Sequence, residues 1–133
     1  MADPTPHPDA TVVRRLYDAR ARNDLDAAAA LLAPDVAWHE PYDYLGTLHG
    51  RDAVIAAISH SMEETGGTFR LDLHDVLASE EHVVALVMYS AERHGQRLSG
   101  KEVGVFHVAD GLIREVWFAT DEDVDAVSEF MRG

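Results

Sequence analysis

The apolar residues of this chain turn to a sustained two-residue spacing near residue 69, and that change constrains the fold most. Upstream, Val12, Val13, Leu16 and Tyr17, followed by Arg20, recur at three- and four-residue spacing. Val54, Ile55, Ile58 and Met62 do the same. Both stretches predict amphipathic helices. Downstream, Phe69, Leu71 and Leu73 alternate with Arg70, Asp72 and His74, the period of a half-buried strand.

The punctuation fits this division. A helix begins at Ala10 and is interrupted by Asn23-Asp24; a second covers 25–33 and is closed by Pro34. Residues 36–40 alternate as a strand whose pairing ends at Pro41, and 42–50 read as a turn with a short return strand. The third helix follows Gly50-Arg51-Asp52 and stops at Gly66-Gly67. Residues 83–89 are apolar on both faces, as expected of a central strand or of one face used for subunit contact. His94-Gly95 and Asp110-Gly111 predict hairpins leading into strands over 98–108 and 113–120. A last helix spans 121–131, with Thr120 as its N-cap.

Helices segregated from strands predict an α+β domain. Residues 1–9, with three prolines, read as a flexible tail, and 10–133 as one domain. The expected arrangement is a curved antiparallel sheet with three helices across its concave side, enclosing an apolar pocket.

Composition narrows the function. Among 133 residues, 47% are hydrophobic, enough for a packed core. No apolar run approaches the roughly 18 residues of a membrane span, and no signal pattern opens the chain. A cytoplasmic protein without membrane contact is therefore expected. With no cysteine, disulfides, thiolate metal sites and cysteine nucleophiles are excluded. A net charge of -13 argues against nucleic acid, and against strongly anionic ligands unless the few basic residues converge. The eight histidines show no metal-ligand spacing, so no metal site is expected.

The stretch from Val12-Val13 to Asn23-Asp24-Leu25-Asp26, followed by Leu32-Ala33-Pro34-Asp35-Val36-Ala37-Trp38-His39-Glu40-Pro41, resembles the opening of ketosteroid isomerases. Residues 95–108 and the Asp110-Gly111 turn continue the likeness. The chain is thus similar to the nuclear-transport-factor-2-like superfamily, and closer to its SnoaL-like members. Such a resemblance implies a cone-shaped fold and is poor at naming a reaction, because the fold hosts isomerases, cyclases, dehydratases, epoxide hydrolases and binders.

Carried over by position, Glu40 falls where ketosteroid isomerases place their general base. Trp38 shares its strand face, and partial desolvation would raise the carboxyl toward neutrality. The alternative is a solvated or salt-bridged Glu at a strand end. The two oxyanion donors of those enzymes fall at Leu16 and Gly104 and are missing here. Tyr17 lies about 100° further round the helix. If Gly104 faces the cavity, Glu102 and Phe106 share its face. Two carboxylates, Glu40 and Glu102, could then divide base and acid roles; otherwise Glu102 pairs with Arg97 or Lys101 at a sheet edge.

Asp121 stands where SnoaL-like cyclases place an acid/base Asp. An acidic residue in a helix's first turn is also what the helix dipole favours. His39 alternates away from Glu40, but a bulge near Pro41 could swing it inward. Trp117 and Phe118 cannot both face the cavity. The convergent Asp-Arg-Asp set of epoxide-hydrolase chemistry is not found on the strands.

The expectation is a cofactor-independent isomerase, cyclase or lyase acting on a small, mostly apolar carbonyl compound. Glu40 and Asp121 are the candidate catalytic residues. Trp38, Tyr17, His39, Glu102, Phe106 and Trp117 are the candidate ligand-binding residues. A non-catalytic binder of a hydrophobic small molecule is the alternative. The resemblance also implies a homodimer through the outer sheet face, where Leu86 and Met88 are apolar.

Overall fold

A computed structural model describes residues 7–41, 46–120 and 124–132. Helix α1 (Pro8–Ala21) starts two residues before the apolar pattern, because the His7 side chain accepts from the Asp9 amide and caps it. Helix α2 (Leu25–Ala29), capped by Asp24 accepting from the Ala27 amide at 3.0 Å, is shorter than expected. Its predicted last turn belongs instead to strand β1 (Leu32–His39), which Pro34 interrupts without ending. Then follow β2 (Thr47–His49), α3 (Arg51–Glu64), β3 (Arg70–Ala78), β4 (Val83–Arg93), β5 (Gln96–Ala109), β6 (Leu112–Thr120) and α4 (Val124–Arg132).

Among the described residues six strands form one curved sheet, in the order β2-β1-β6-β5-β4-β3. The sheet is mixed, which corrects the all-antiparallel expectation. β3 to β6 form the antiparallel meander, but β1 lies parallel to β6, with Trp38 opposite Val116. A parallel neighbour requires a long crossover, and here the whole chain from α3 to β5 supplies it. His94-Gly95 and Asp110-Gly111 take positive φ at both positions, the twist that two-residue hairpins need.

One sheet face is covered and the other is not. Val36, Trp38, Val83, Ala85, Val87, Phe106, Val116 and Phe118 are buried against Val13, Leu16 and Tyr17 of α1 and Val54 and Ile58 of α3. The alternate residues Met88, Val103 and Trp117 remain exposed on the opposite face. Near Glu40 the packing between helices and sheet is incomplete, and a cavity is left.

Candidate active site

Alternation along β1 decides which side chains reach this cavity. Val36 and Trp38 are buried, so Glu40, two residues on, projects to the same side. The Trp38 Nε1 donates to Glu40 Oε1 at 2.8 Å, while the Glu40 amide donates to the Gly46 carbonyl. Trp38 is in turn held by Phe118, with ring centroids 4.9 Å apart. The carboxylate is therefore aimed by a rigid aromatic neighbour.

Glu102 comes from β5, where Gly104 and Phe106 continue the same face. It lines the cavity with Glu40 and makes no ion pair among the described residues, so the edge pairing with Arg97 or Lys101 does not occur. Arg20, from the last turn of α1, lines the cavity too. The remaining walls are largely apolar, including Val54, Ala57, Ile58, Phe69, Leu71 and Leu98.

The space beside the two carboxyls is about 50 Å³ and partly open. Arg20, Ile58, Phe69 and Leu71 also line an adjoining cleft of about 280 Å³. The inner space alone is small against ordinary ligand pockets, so a bound molecule would extend into the cleft.

Burial dominates the electrostatics. It pushes the Glu40 carboxyl above the usual carboxylate range, with the Trp38 hydrogen bond and the Arg20 charge pulling partly back. It pushes Glu102 up to about 8, the Glu40 charge adding to the rise and Arg20 opposing it. Two partly buried carboxyls sharing one space do not both ionise readily. Among the described residues Glu40 has a hydrogen-bond donor and Glu102 has none, so the negative charge falls on Glu40 and the proton on Glu102. Burial, with Glu102 second, likewise raises the Tyr17 phenol and keeps it protonated.

The other candidate residues lie elsewhere. Tyr17 is buried beneath the cavity, edge-on to Phe106 at 6.2 Å, and its hydroxyl has no hydrogen-bond partner among the described residues. Phe106 is fully buried beside Phe118 and shapes the floor without lining the space. Phe118 takes the inward position on β6, so Trp117 faces out.

His39 also faces out. It stacks on Trp117, and its Nε2 lies 2.7 Å from Glu115 Oε2 while Nδ1 lies 3.1 Å from Thr47 Oγ1. The register irregularity of β1 falls between Leu32 and Ala37, upstream of the site that could have turned His39 inward. Asp121 lies outside the described residues. No cluster of three or more metal-ligating side chains occurs among the described residues, and none of their helices is long and apolar enough to cross a membrane.

Arg20 is the residue that sequence reasoning missed. Arg20 of α1 lines one space with Glu40, just past β1, and Glu102 of β5. The available signal was its position four residues after Leu16 on the face that packs inward.

Comparison with known proteins agrees with this architecture. The family model of the SnoaL-like domain matches residues 13–116. The chain is a member of the SnoaL-like family. An uncharacterized Mycobacterium tuberculosis protein, Rv0034, is 33% identical over 108 residues, covering 79% of this chain and 82% of that protein. Among solved structures, the SnoaL-like chain superposes on Bal32a, from a soil-derived mobile gene cassette, with a TM-score of 0.87 and 32% identity. That match covers 94% of this chain and 97% of Bal32a. An NTF2-like protein of unknown function from Burkholderia pseudomallei gives a TM-score of 0.83 at 29% identity, over 96% of this chain and all of the other. The SnoaL-like family includes polyketide cyclases and isomerases, and the two solved structures share this chain's fold.

Proposed function

We propose that the cavity, closed against the sheet by α1, α3 and α4, is an acid/base site for a small, mostly apolar carbonyl compound. The observation that carries this reading is the pair of facing carboxyls, Glu40 and Glu102, in a space with otherwise largely apolar walls. The Glu40 carboxylate takes a proton from the carbon next to the carbonyl. Glu102, protonated at neutral pH, returns one to carbon or oxygen. Every group this scheme needs is a side chain of the protein, so isomerisation, ring closure or elimination can run without a cofactor. Asp121, at the position the family resemblance singles out, is a second proton donor in this proposal. An Asp121→Asn variant separates it from Glu102.

Deuterium exchange at the α-carbon of small ketones, followed by NMR, tests the scheme. Wild-type protein should catalyse exchange, and Glu40→Gln should slow it by about 10²-fold or more. Undiminished exchange in Glu40→Gln would remove Glu40 from the mechanism.

One observation favours a second reading, a binder without chemistry. Leu16 is fully buried and Gly104 carries no side chain, so neither oxyanion donor of the isomerases is present. Saturable ligand binding with no exchange in wild-type protein supports this reading.

We also infer that two copies pair through the outer sheet face. Met88, Val103 and Trp117 are 52%, 37% and 41% exposed there, an apolar patch on an otherwise strongly acidic protein.

A further inference from the structure

We propose that Arg20 is the cation that holds the substrate's enolate oxygens, and that the site therefore prefers 1,3-dicarbonyl compounds over simple ketones. This deepens the acid/base reading and rests on Glu40 acting as its base.

When Glu40 takes the proton, the electron pair of the broken C–H bond moves onto the carbonyl oxygen. Between largely apolar walls that new charge needs a donor already in place. Of the other donors, the Glu102 carboxyl is the proton-returning acid of this scheme, and the Tyr17 hydroxyl, without a partner among the described residues, does not line the space. The Trp38 N–H is committed to Glu40, and the Tyr89 hydroxyl meets Thr120 Oγ1 at 3.1 Å. Leu16 and Gly104 offer nothing.

Arg20 fills the gap on three grounds. It stands one turn beyond Leu16, on the helix face that packs toward the cavity. It lines both the inner space and the outer cleft, where a substrate spanning the two must pass. It makes no ion pair within 4 Å among the described residues, so its fork of N–H donors is available.

Charge balance supports the assignment. Before proton transfer the guanidinium balances the Glu40 carboxylate. Afterwards Glu40 is neutral and the enolate carries the charge, so the cavity's net charge does not change. The enolate of a 1,3-dicarbonyl spreads its charge over two oxygens, which suits a bidentate fork as a carboxylate does. A simple ketone supplies one oxygen only. The apolar remainder of the molecule lies along Ile58, Met62, Phe69 and Leu71 in the cleft.

The test is calorimetric titration with 2-acetyl-1,3-cyclohexanedione, an enolate at neutral pH whose acetyl and ring oxygens converge, and with its neutral methyl enol ether. Wild-type protein should bind the enolate about tenfold more tightly or better. Arg20→Gln should erase that preference and Arg20→Lys should keep part of it. Should Arg20→Gln fail to fold, Arg20→Met retains the packing of the stem and takes its place. Glu40→Gln should keep or increase the preference, since it removes a repelling charge.

Equal affinity for both probes in wild type, binding of neither at millimolar concentration, or a preference surviving in Arg20→Gln would overturn the assignment. Exchange surviving in Glu40→Gln while Arg20→Gln loses the preference would instead sink the base and leave Arg20 standing.

Discussion

The Trp38 indole N–H donates to the Glu40 carboxylate at 2.8 Å, two positions along one strand face. This one contact both aims the carboxylate and partly offsets the cost of burying it. Replacing Trp38 with Phe keeps the aromatic packing on Phe118 and removes the donor. Glu40 should then hold its proton to higher pH. The acid limb of the exchange rate should move up in pH, with about tenfold slower exchange below neutrality and a smaller loss above it. An unchanged pH profile contradicts the role given to Trp38.

Glu102 links the site to stability. Its carboxyl lies near 8 in the folded protein and at an ordinary 4.5 when unfolded. Below about 4.5 both states are protonated and its contribution is fully present. As pH rises toward 8 the unfolded chain ionises freely while the folded one resists, so stability falls, then levels off. Glu102→Gln should therefore gain on wild type across that window, by a difference on the order of a few kcal/mol at its upper end. Thermal melts at several pH values check this. Parallel curves would show that Glu102 is not held protonated.

Gly104 shows why the isomerase acid is absent. A Cβ there would sit 2.8 Å from Phe106 Cε1 and 3.1 Å from Phe118 Cε1. Both rings are locked, Phe106 fully buried and Phe118 against Trp38. Gly104→Ala should cost about 1–3 kcal/mol in denaturant unfolding. Gly104→Asp should cost more and should not restore an oxyanion donor. Wild-type stability in Gly104→Ala would mean that the rings yield easily.

On the outer face, Met88→Asp should weaken pairing of two copies by about tenfold or more while leaving the circular dichroism spectrum intact. Sedimentation equilibrium reads this directly. A monomeric wild type at micromolar concentration would end the dimer proposal.

Much of this architecture was legible from local pattern. The switch of period at Phe69, the His94-Gly95 and Asp110-Gly111 hairpins and the glycines ending α3 are all short-range signals. The parallel pairing of β1 with β6 was not, because register between distant strands leaves no periodicity in either one. The start of β1 was misplaced because Leu32 and Ala33 prolong a run of helix formers up to Pro34, though the structure carries the strand through the proline.

At the site, alternation alone put Trp38 with Glu40, and parity along β5 put Glu102 beside them. Parity also turned His39 and Trp117 outward, which no bulge reversed. Arg20 was harder. A single cation at the end of an apolar helical stripe looks like an ordinary solvent-facing end, and only the folded sheet brings two carboxyls to it.

The most direct test of the central claim is a carbon-13 NMR titration of the Glu40 and Glu102 side-chain carboxyls in wild-type protein. Both should titrate above the usual carboxylate range, Glu102 near 8 and Glu40 before it, with each signal sensing the other's ionisation. Two independent transitions at ordinary acidic pH would mean that water reaches both groups, and the acid/base site would not exist.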